Sequence, residues 1–187
     1  IHAGFMPLVW FTHSLAIDPN WFLFGAILLL LVFRGALSGQ VPLYLSNKQT
    51  VGALADLLTE RGPSRFLDLG AGLGSTTVPL ADALPDSQFT GVENAPLTWL
   101  AGRLLSLGRP NIHWQWLDLW QTGLADYDVV YAFLSPAPMP RLWEKVKAEM
   151  RPGSLFVSNS FPVPSMTPDR IIDVACTPPR PLYCYQL

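Results

Sequence analysis

The sequence predicts an α/β fold: a doubly wound, mostly parallel sheet of seven strands with helices on both faces. Three observations lead to this prediction. Short apolar runs alternate with helical patterns from residue 46 onward, as expected for repeated strand–helix units. The run YDVVYAFL, residues 127–134, is apolar almost throughout, as a central parallel strand is. The last two apolar runs flank a proline-rich turn, which predicts an antiparallel pair of strands at the C-terminus.

The first elements of this domain are a helix, a strand and a second helix. Ser46 is the predicted N-cap of the first helix, which ends at Gly62-Pro63. The apolar positions of this helix follow helical spacing and are Val51, Leu54, Leu57 and Leu58. RFLDLG, residues 65–70, reads as a short buried strand, and GSTTVPLADAL, residues 74–84, reads as a helix. A glycine turn therefore joins the carboxyl end of the strand to the second helix.

The remaining elements alternate in the same way. QFTGVE, residues 88–93, and NIHWQWL, residues 111–117, are the second and third predicted strands. The helix between them carries leucines on one side, namely Leu97, Leu100, Leu104 and Leu105. YDVVYAFL is the fourth predicted strand; a helix over residues 140–153 follows it and leads to a fifth strand, SLFVSNS. In such a sheet, ligands bind at the carboxyl ends of the strands.

Residues 1–41 differ in composition from the domain at residues 42–187, because Asp18 is the only formal charge before Arg34. Two apolar runs surround the turn signal Asp18-Pro19-Asn20. We expect a membrane anchor or hairpin here, with Trp10 and Trp21 as interface anchors. A soluble helical extension or a dimerisation segment is the alternative. A signal peptide is disfavoured, since no basic region precedes the apolar run.

The distribution of charge restricts the partners. Arg34 and Lys48 are the first basic residues after the apolar run, so the positive-inside rule predicts a membrane protein with the domain at residues 42–187 on the cytoplasmic side. The net charge of −2 offers no general basic field for nucleic acid. The three histidines are scattered, so no metal site is expected.

The glycine turn runs from Asp68 through Gly70, Gly72 and Gly74 to Ser75. A dinucleotide fingerprint requires a third glycine where Ser75 stands, and a phosphate-binding P-loop requires a GK[ST] sequence that is absent. An acidic residue at the strand end would repel a diphosphate. The same carboxylate favours S-adenosylmethionine, which is cationic at its sulfur and at its α-amino group. Side-chain-free positions let the backbone approach such a ligand closely.

Acidic residues after the next two strands agree with this interpretation. Glu93 ends the second strand, where an acid in doubly wound folds binds the ribose hydroxyls. Asp118 follows the third strand and can accept a hydrogen bond from the adenine amino group. Trp99, Leu119 and Trp120 are expected to flank the adenine ring. The predicted cofactor-binding residues are Asp68, Gly70, Ala71, Gly72, Gly74, Ser75, Thr76, Glu93, Asn94, Asp118 and Leu119.

The motifs DLGAGLGS, GVEN and WLDLW resemble those of the class I S-adenosylmethionine-dependent methyltransferases over residues 46–187. That resemblance implies a Rossmann-like fold and methyl transfer. The sequence SPAP at residues 135–138 departs from the [DNS]PP[YFW] motif of methyltransferases that act on adenine or glutamine amides. A nucleic acid acceptor is therefore disfavoured.

Two longer stretches are similar to the membrane-anchored protein-lysine methyltransferases, whose mitochondrial members modify the ATP synthase c subunit and the adenine nucleotide translocase. They are LLLLVFRGALSGQVPLYLSNKQTV, residues 28–51, and YAFLSPAPMPRLWEKVKAEMRPGSLFVSNSFPVP, residues 131–164. This resemblance implies that the acceptor is a lysine of a protein. If residues 1–41 anchor the chain in a membrane, that protein is expected to be a membrane protein. A small or lipid-borne acceptor, and a non-catalytic cofactor-binding or assembly protein, are the alternatives.

A lysine acceptor must lose its proton before it can act as a nucleophile. A partly dry aromatic pocket lowers the pKa of an amine by desolvation. We expect Tyr44, Tyr131, Phe133 and Trp143 to line that pocket, and Ser135 to face the methyl group because it follows the fourth strand. Tyr44, Phe133 and Ser135 are the predicted catalytic residues.

Overall fold

The computed structural model describes residues 18, 20–27, 29, 46–175 and 179–187. Residues 20–27 are helical. Within these described ranges, no helix has both the length and the apolar character needed to cross a bilayer. Most of the segment 1–41, as well as Tyr44, lies outside the described residues. The predicted anchor and the domain boundary at residue 41 therefore stay predictions.

The helices and strands of the domain follow the predicted order, and β2 has the predicted bounds. They are α1 (Lys48–Arg61), β1 (Arg65–Leu69), α2 (Thr77–Ala83), β2 (Gln88–Glu93), α3 (Pro96–Leu105), β3 (Ile112–Trp116), β4 (Val129–Ala132), α4 (Met139–Glu149), β5 (Leu155–Asn159), β6 (Arg170–Ile172) and β7 (Leu182–Gln186).

One seven-stranded sheet contains all of these strands, in the order β3-β2-β1-β4-β5-β7-β6. The first five strands pair in parallel, whereas β7 runs antiparallel to both β5 and β6. The predicted mostly parallel sheet with an antiparallel C-terminal hairpin is confirmed. The carboxyl ends of β1, β2, β4 and β5 lie along one edge, which we call the C-terminal edge.

Two hydrophobic cores lie on opposite faces of the sheet. On the first face, leucines of α1 and α2 pack against Phe66 and Phe89. On the second face, α4 packs against Leu67 and Phe156. Successive strand residues point to opposite faces, which explains why neighbouring Phe66 and Leu67 belong to different cores.

The division into two faces corrects the predicted aromatic pocket. Tyr131 belongs to the core under α1 and α2, whereas Trp143 packs on the other face against Phe156 and Tyr185. Both side chains are buried. They cannot line one pocket with Phe133, because the sheet separates them.

Two helix starts also differ from the prediction. Asn47 rather than Ser46 caps α1, since the Asn47 side-chain oxygen accepts a hydrogen bond from the backbone N–H of Thr50 at 2.8 Å. Helix α2 begins at Thr77 rather than at Gly74. Gly74 has a φ of +83°, which a continuous right-handed helix excludes. The glycine turn is therefore longer than predicted, and the helix is shorter.

Candidate functional site

The glycine turn wraps the carboxyl ends of β1 and β2. Gly70, Gly72 and Gly74 all have positive φ values, of 80°, 57° and 83°, which side-chain-bearing residues rarely adopt. The backbone N–H groups of Gly70 and Ala71 both donate to the carbonyl of Val92, at 3.0 and 2.9 Å. These bonds tie the turn to the end of the neighbouring strand.

Glu93 lies directly beside this turn, as the sequence predicted. One carboxylate oxygen accepts from the backbone N–H of Gly72 at 3.1 Å, and the other accepts from that of Ala95 at 2.9 Å. Burial raises the pKa of Glu93, while the backbone N–H donors act in the opposite direction. Each carboxylate oxygen can accept more than one hydrogen bond, so the group can also receive ligand hydroxyls.

Asp68 occupies a different environment from Glu93, although both belong to the predicted site. Its carboxylate is buried and accepts a hydrogen bond from the Thr77 hydroxyl at 2.9 Å. The pKa of Asp68 is raised to about 7: burial and, to a smaller extent, the charge of Glu93 raise it, whereas the Thr77 hydrogen bond lowers it. Asp68 therefore lies under α2, and its influence on a cationic ligand acts through space and depends on pH.

The loops after β2 and β3 lie side by side, because the backbone N–H of Leu117 donates to the carbonyl of Glu93 at 3.2 Å. The indole N–H of Trp116 donates to the carbonyl of Asn94 at 3.0 Å. One carboxylate oxygen of Asp118 accepts from the backbone N–H of Trp120 at 2.9 Å. The structure thus brings together Glu93, Asn94 and Asp118, as predicted.

The three residues expected to flank the adenine ring contact other parts of the chain, and their role at the adenine stays a prediction. Leu119 is buried in the core under α4, so it contributes packing there. The guanidinium of Arg141 lies 4.0 Å from the centroid of the Trp120 ring and covers one of its faces. Trp99 stacks on Trp116, with ring centroids 6.0 Å apart.

The segment after β4 lies next to the glycine turn. A Cβ at Gly70 would lie 3.5 Å from a methyl carbon of Leu134, so this segment and the turn are in contact distance. Phe133 and Ser135, on either side of Leu134, are half-buried. The guanidinium of Arg180 lies 5.6 Å from the centroid of the Phe133 ring. Two of the three predicted catalytic residues are therefore at the C-terminal edge, and the third, Tyr44, is outside the described residues.

A polar network that the sequence analysis missed holds the chain before α1 against this site. The Thr76 hydroxyl donates to the Ser46 hydroxyl at 2.8 Å, and the backbone N–H of Ser46 donates to the Ser75 hydroxyl at 3.3 Å. The Ser46 and Tyr131 hydroxyls are 3.0 Å apart, and the Asn159 amide donates to the Tyr131 hydroxyl at 2.7 Å. The polar residues Ser158 and Asn159 at the end of the apolar strand β5 were the available signal.

Trp114 is a second residue that the sequence analysis missed. Its ring lies so close to Gly74, Gly91 and Gly102 that a Cβ at any of the three positions would crowd it. Its indole N–H donates to the Ser106 hydroxyl at 2.8 Å. Trp114 therefore packs against the glycine turn and connects it to α3. The available signal was a large residue, Trp114, on one strand, with glycines on the neighbouring strand (Gly91) and helix (Gly102).

The donor set fits a nucleoside that carries a cationic tail. Glu93 provides a carboxylate for a diol, and the turn provides backbone without side chains. The carboxyl groups of Asp68 and Glu93 lie close enough for the charge of Glu93 to contribute to the raised pKa of Asp68. Such a site favours a positively charged ligand over a diphosphate.

Comparison with known protein families agrees with this geometry. Residues 68–170, more than half of the chain, match the family model described as the ANTKMT methyltransferase domain. A related protein, the adenine nucleotide translocase lysine N-methyltransferase of Mus musculus, is 31% identical over 138 residues. The match covers 71% of this chain and 58% of that protein, so the chain spans little more than half of its relative's length.

Solved structures show the same fold. An RNA methyltransferase from Salinibacter ruber, in complex with S-adenosyl-L-homocysteine, superimposes with a TM-score of 0.69 at 21% identity and covers 76% of this chain and 93% of its own. The magnesium protoporphyrin IX methyltransferase of Synechocystis PCC 6803, with bound S-adenosylmethionine, gives a TM-score of 0.58 at 16% identity, over 74% and 79% of the two chains. At these identities the likeness concerns the fold alone.

Proposed function

The chain belongs to the ANTKMT methyltransferase domain family, whose cofactor is S-adenosylmethionine, and on this premise we propose that it methylates a lysine side chain of a membrane protein. The observation that carries the proposal is the position of Glu93. Its carboxylate lies against the Gly72 backbone of a turn in which three glycines have positive φ. The relative in Mus musculus, named for a lysine of a translocase, supports the choice of acceptor.

The residues of the chain have separate tasks in this proposal. When bound, S-adenosylmethionine supplies an electrophilic methyl group. Glu93 receives the ribose hydroxyls, and Asn94 and Asp118 lie where the adenine ring would be held. Positioning provides much of the rate in a displacement of this kind.

The acceptor side of the site must hold an uncharged amine. Phe133 and Ser135 are half-buried beside the glycine turn, so they form a partly dry entrance. Desolvation at such an entrance lowers the pKa of a lysine and increases its neutral fraction. The Ser135 hydroxyl can accept a hydrogen bond from the amine and orient its lone pair.

We further propose that residues 1–41 tether the chain to a membrane, with the domain on the cytoplasmic side. Two apolar runs around a polar turn, followed by the first basic residues, support this arrangement. Alkaline carbonate extraction of membranes tests the tether. We expect the intact chain to stay in the pellet, and its release into the supernatant would contradict a spanning segment.

Calorimetric titration with S-adenosylmethionine and S-adenosylhomocysteine tests the cofactor site. We expect Glu93→Gln to weaken both ligands by about tenfold or more, because a charge-assisted hydrogen bond to a diol is lost. Glu144→Gln, on the exposed face of α4, is the matched control and should bind as the wild type does. Equal affinity in the two variants would show that the pocket is wrongly assigned.

Incubation with radiolabelled S-adenosylmethionine and membranes from cells that lack the protein tests the acceptor. We expect label in the lysine of a protein band, and its loss in Ser135→Trp, since an indole would fill the entrance. Ala148→Trp, on the exposed side of α4, is the control and should keep the activity. Label confined to lipids or small solutes would favour a lipid-borne or small acceptor. Cofactor binding without any transfer would favour a non-catalytic role.

A further inference from the structure

Helix α3 does not turn its leucine-rich side toward the sheet. Its buried positions are small or polar, namely Thr98, Gly102 and, just after the helix, Ser106. Three of its leucines and one just after its end point outward: Leu100, Leu104 and Leu107 are 44%, 56% and 70% exposed, and Leu105 is exposed beside them. We call these four residues the α3 leucine face. They are the same kind of residue that packs inward elsewhere in the domain.

The packing of Trp114 explains this orientation. The indole ring occupies the space between the sheet and α3, and a Cβ at Gly102 would overlap it. Only small side chains fit on the inward side of the helix. The leucines are consequently left on the outside, where burying each one against a partner would be favourable.

The segment that carries the α3 leucine face is basic. Residues 94–117 contain no aspartate or glutamate, although the chain as a whole has a net charge of −2. Arg103, Arg109 and His113 line an open cavity of about 700 Å³ next to the leucines. Arg109 forms an ion pair with Asp82 at 2.6 Å, so Arg103 supplies the remaining positive charge. Trp116, which is 56% exposed, is the last residue of β3, the outermost strand next to α3.

We propose that the α3 leucine face docks on the surface of a bilayer that contains anionic phospholipid. Exposed leucines enter the boundary of the acyl chains, a tryptophan lies at the level of the headgroups, and basic side chains bind lipid phosphates; together they form a monotopic membrane surface. The absence of acidic residues in this segment favours anionic lipid over a second copy of this chain, because two copies docked face to face would bring their arginines together.

Docking in this way would orient the site. Trp116 donates its indole N–H to the carbonyl of Asn94, at the rim of the cofactor site. The C-terminal edge of the sheet would then lie close to the headgroups, where a lysine of a membrane protein emerges. The surface itself does not depend on the reaction, so it can be tested by lipid binding alone.

A fluorescent probe on the leucine face tests the proposal in the full chain. An environment-sensitive NBD label is attached to Leu107→Cys, in a Cys176→Ser background in which the remaining Cys184 is buried. The control label is on Glu144→Cys, whose side chain is 72% exposed on α4, on the other face of the sheet. With vesicles containing phosphatidylglycerol, we expect a blue shift of the label at residue 107 and none at residue 144.

The other outcomes would overturn the proposal. A chain that floats with the vesicles while neither label shifts would be tethered without docking. Equal shifts at both positions would indicate non-specific adsorption, and equal shifts on phosphatidylcholine would remove the role of anionic lipid. A shift that grows with protein concentration in the absence of lipid would identify a second copy as the occupant.

Paired substitutions provide an independent measurement on the labelled chain. Leu100→Ser with Leu104→Ser should weaken docking about tenfold, since two leucines no longer leave water. The matched control is Met166→Ser with Ile171→Ser. Ile171 lies on β6, the outermost strand farthest from β3, and both residues are about as exposed as Leu100 and Leu104. An unchanged shift in the leucine variant, or an equal loss in the control, would contradict the proposal.

Discussion

Helices α1 and α3 lie on the same face of the sheet, yet they turn opposite kinds of side chain toward it. Helix α1 buries Leu54, Leu57 and Leu58 and exposes its charged residues. Helix α3 buries Thr98 and Gly102 and exposes Leu100, Leu104 and Leu105. Under α1 the sheet offers space for leucine side chains, whereas under α3 the indole of Trp114 already fills it. The periodicity of apolar residues therefore predicts where a helix forms, whereas the part of the sheet against which the helix packs determines which of its sides is buried.

The largest expected effect separates the leucines of the two helices. Leu54→Ala should lower the free energy of unfolding by about 4 kcal/mol, because Leu54 is fully buried and its loss leaves a cavity. Leu104→Ala, the control on α3, should change it by less than about 0.5 kcal/mol. Urea unfolding followed by tryptophan fluorescence measures both. Similar losses in the two variants would mean that α3 is packed on its leucine side.

A second prediction concerns the polar groups that face the sheet. Those under α3 are neutral, whereas Asp68 under α2 titrates. The pKa of Asp68 is raised in the folded state from an ordinary 3.8 to about 7, so its contribution to stability is greatest at low pH and is lost as the pH rises through that interval. We expect a loss of about 3 kcal/mol between pH 4.5 and pH 7 from this group.

The variant Asp68→Asn isolates that contribution. The difference in unfolding free energy between wild type and variant should change steeply between pH 4.5 and pH 7 and level off above it. Thr98→Val, under α3, serves as the control and should give a curve parallel to that of the wild type. Parallel curves for Asp68→Asn as well would show that Asp68 titrates at its ordinary pKa.

The third and smallest effect tests the reason for the orientation of α3. Gly102→Ala should destabilise the protein by about 2 kcal/mol, because the new methyl group overlaps the Trp114 ring. Gly52→Ala in α1 is the matched control: no atom lies within 4 Å of a Cβ there, so alanine should stabilise by up to about 1 kcal/mol through helix propensity. Thermal unfolding of both variants gives the two signs. Stabilisation by Gly102→Ala would rule out the crowding by Trp114.

Much of the fold could be predicted because its signals are local. Alternating apolar runs and helical spacing gave the order of the elements, and β2 was correct to the residue. The positions of Glu93 and of the glycine turn relative to each other also followed, since the carboxyl ends of parallel strands meet at one edge. The cap of α1 was wrong by one residue, because Ser46 and Asn47 are both good N-caps and only the backbone conformation distinguishes them.

The sequence by itself determined the strand–helix order, the glycine turn and the acid that follows the second strand. Each of these depends on residues close together along the chain. Only the tertiary structure decided that Tyr131 and Trp143 lie on opposite faces, that Ser46 joins Tyr131 and Thr76 in one network, and that α3 turns its leucines outward. Such features depend on which side chains fill the same space, and residues far apart in the chain compete for that space only after the sheet has formed.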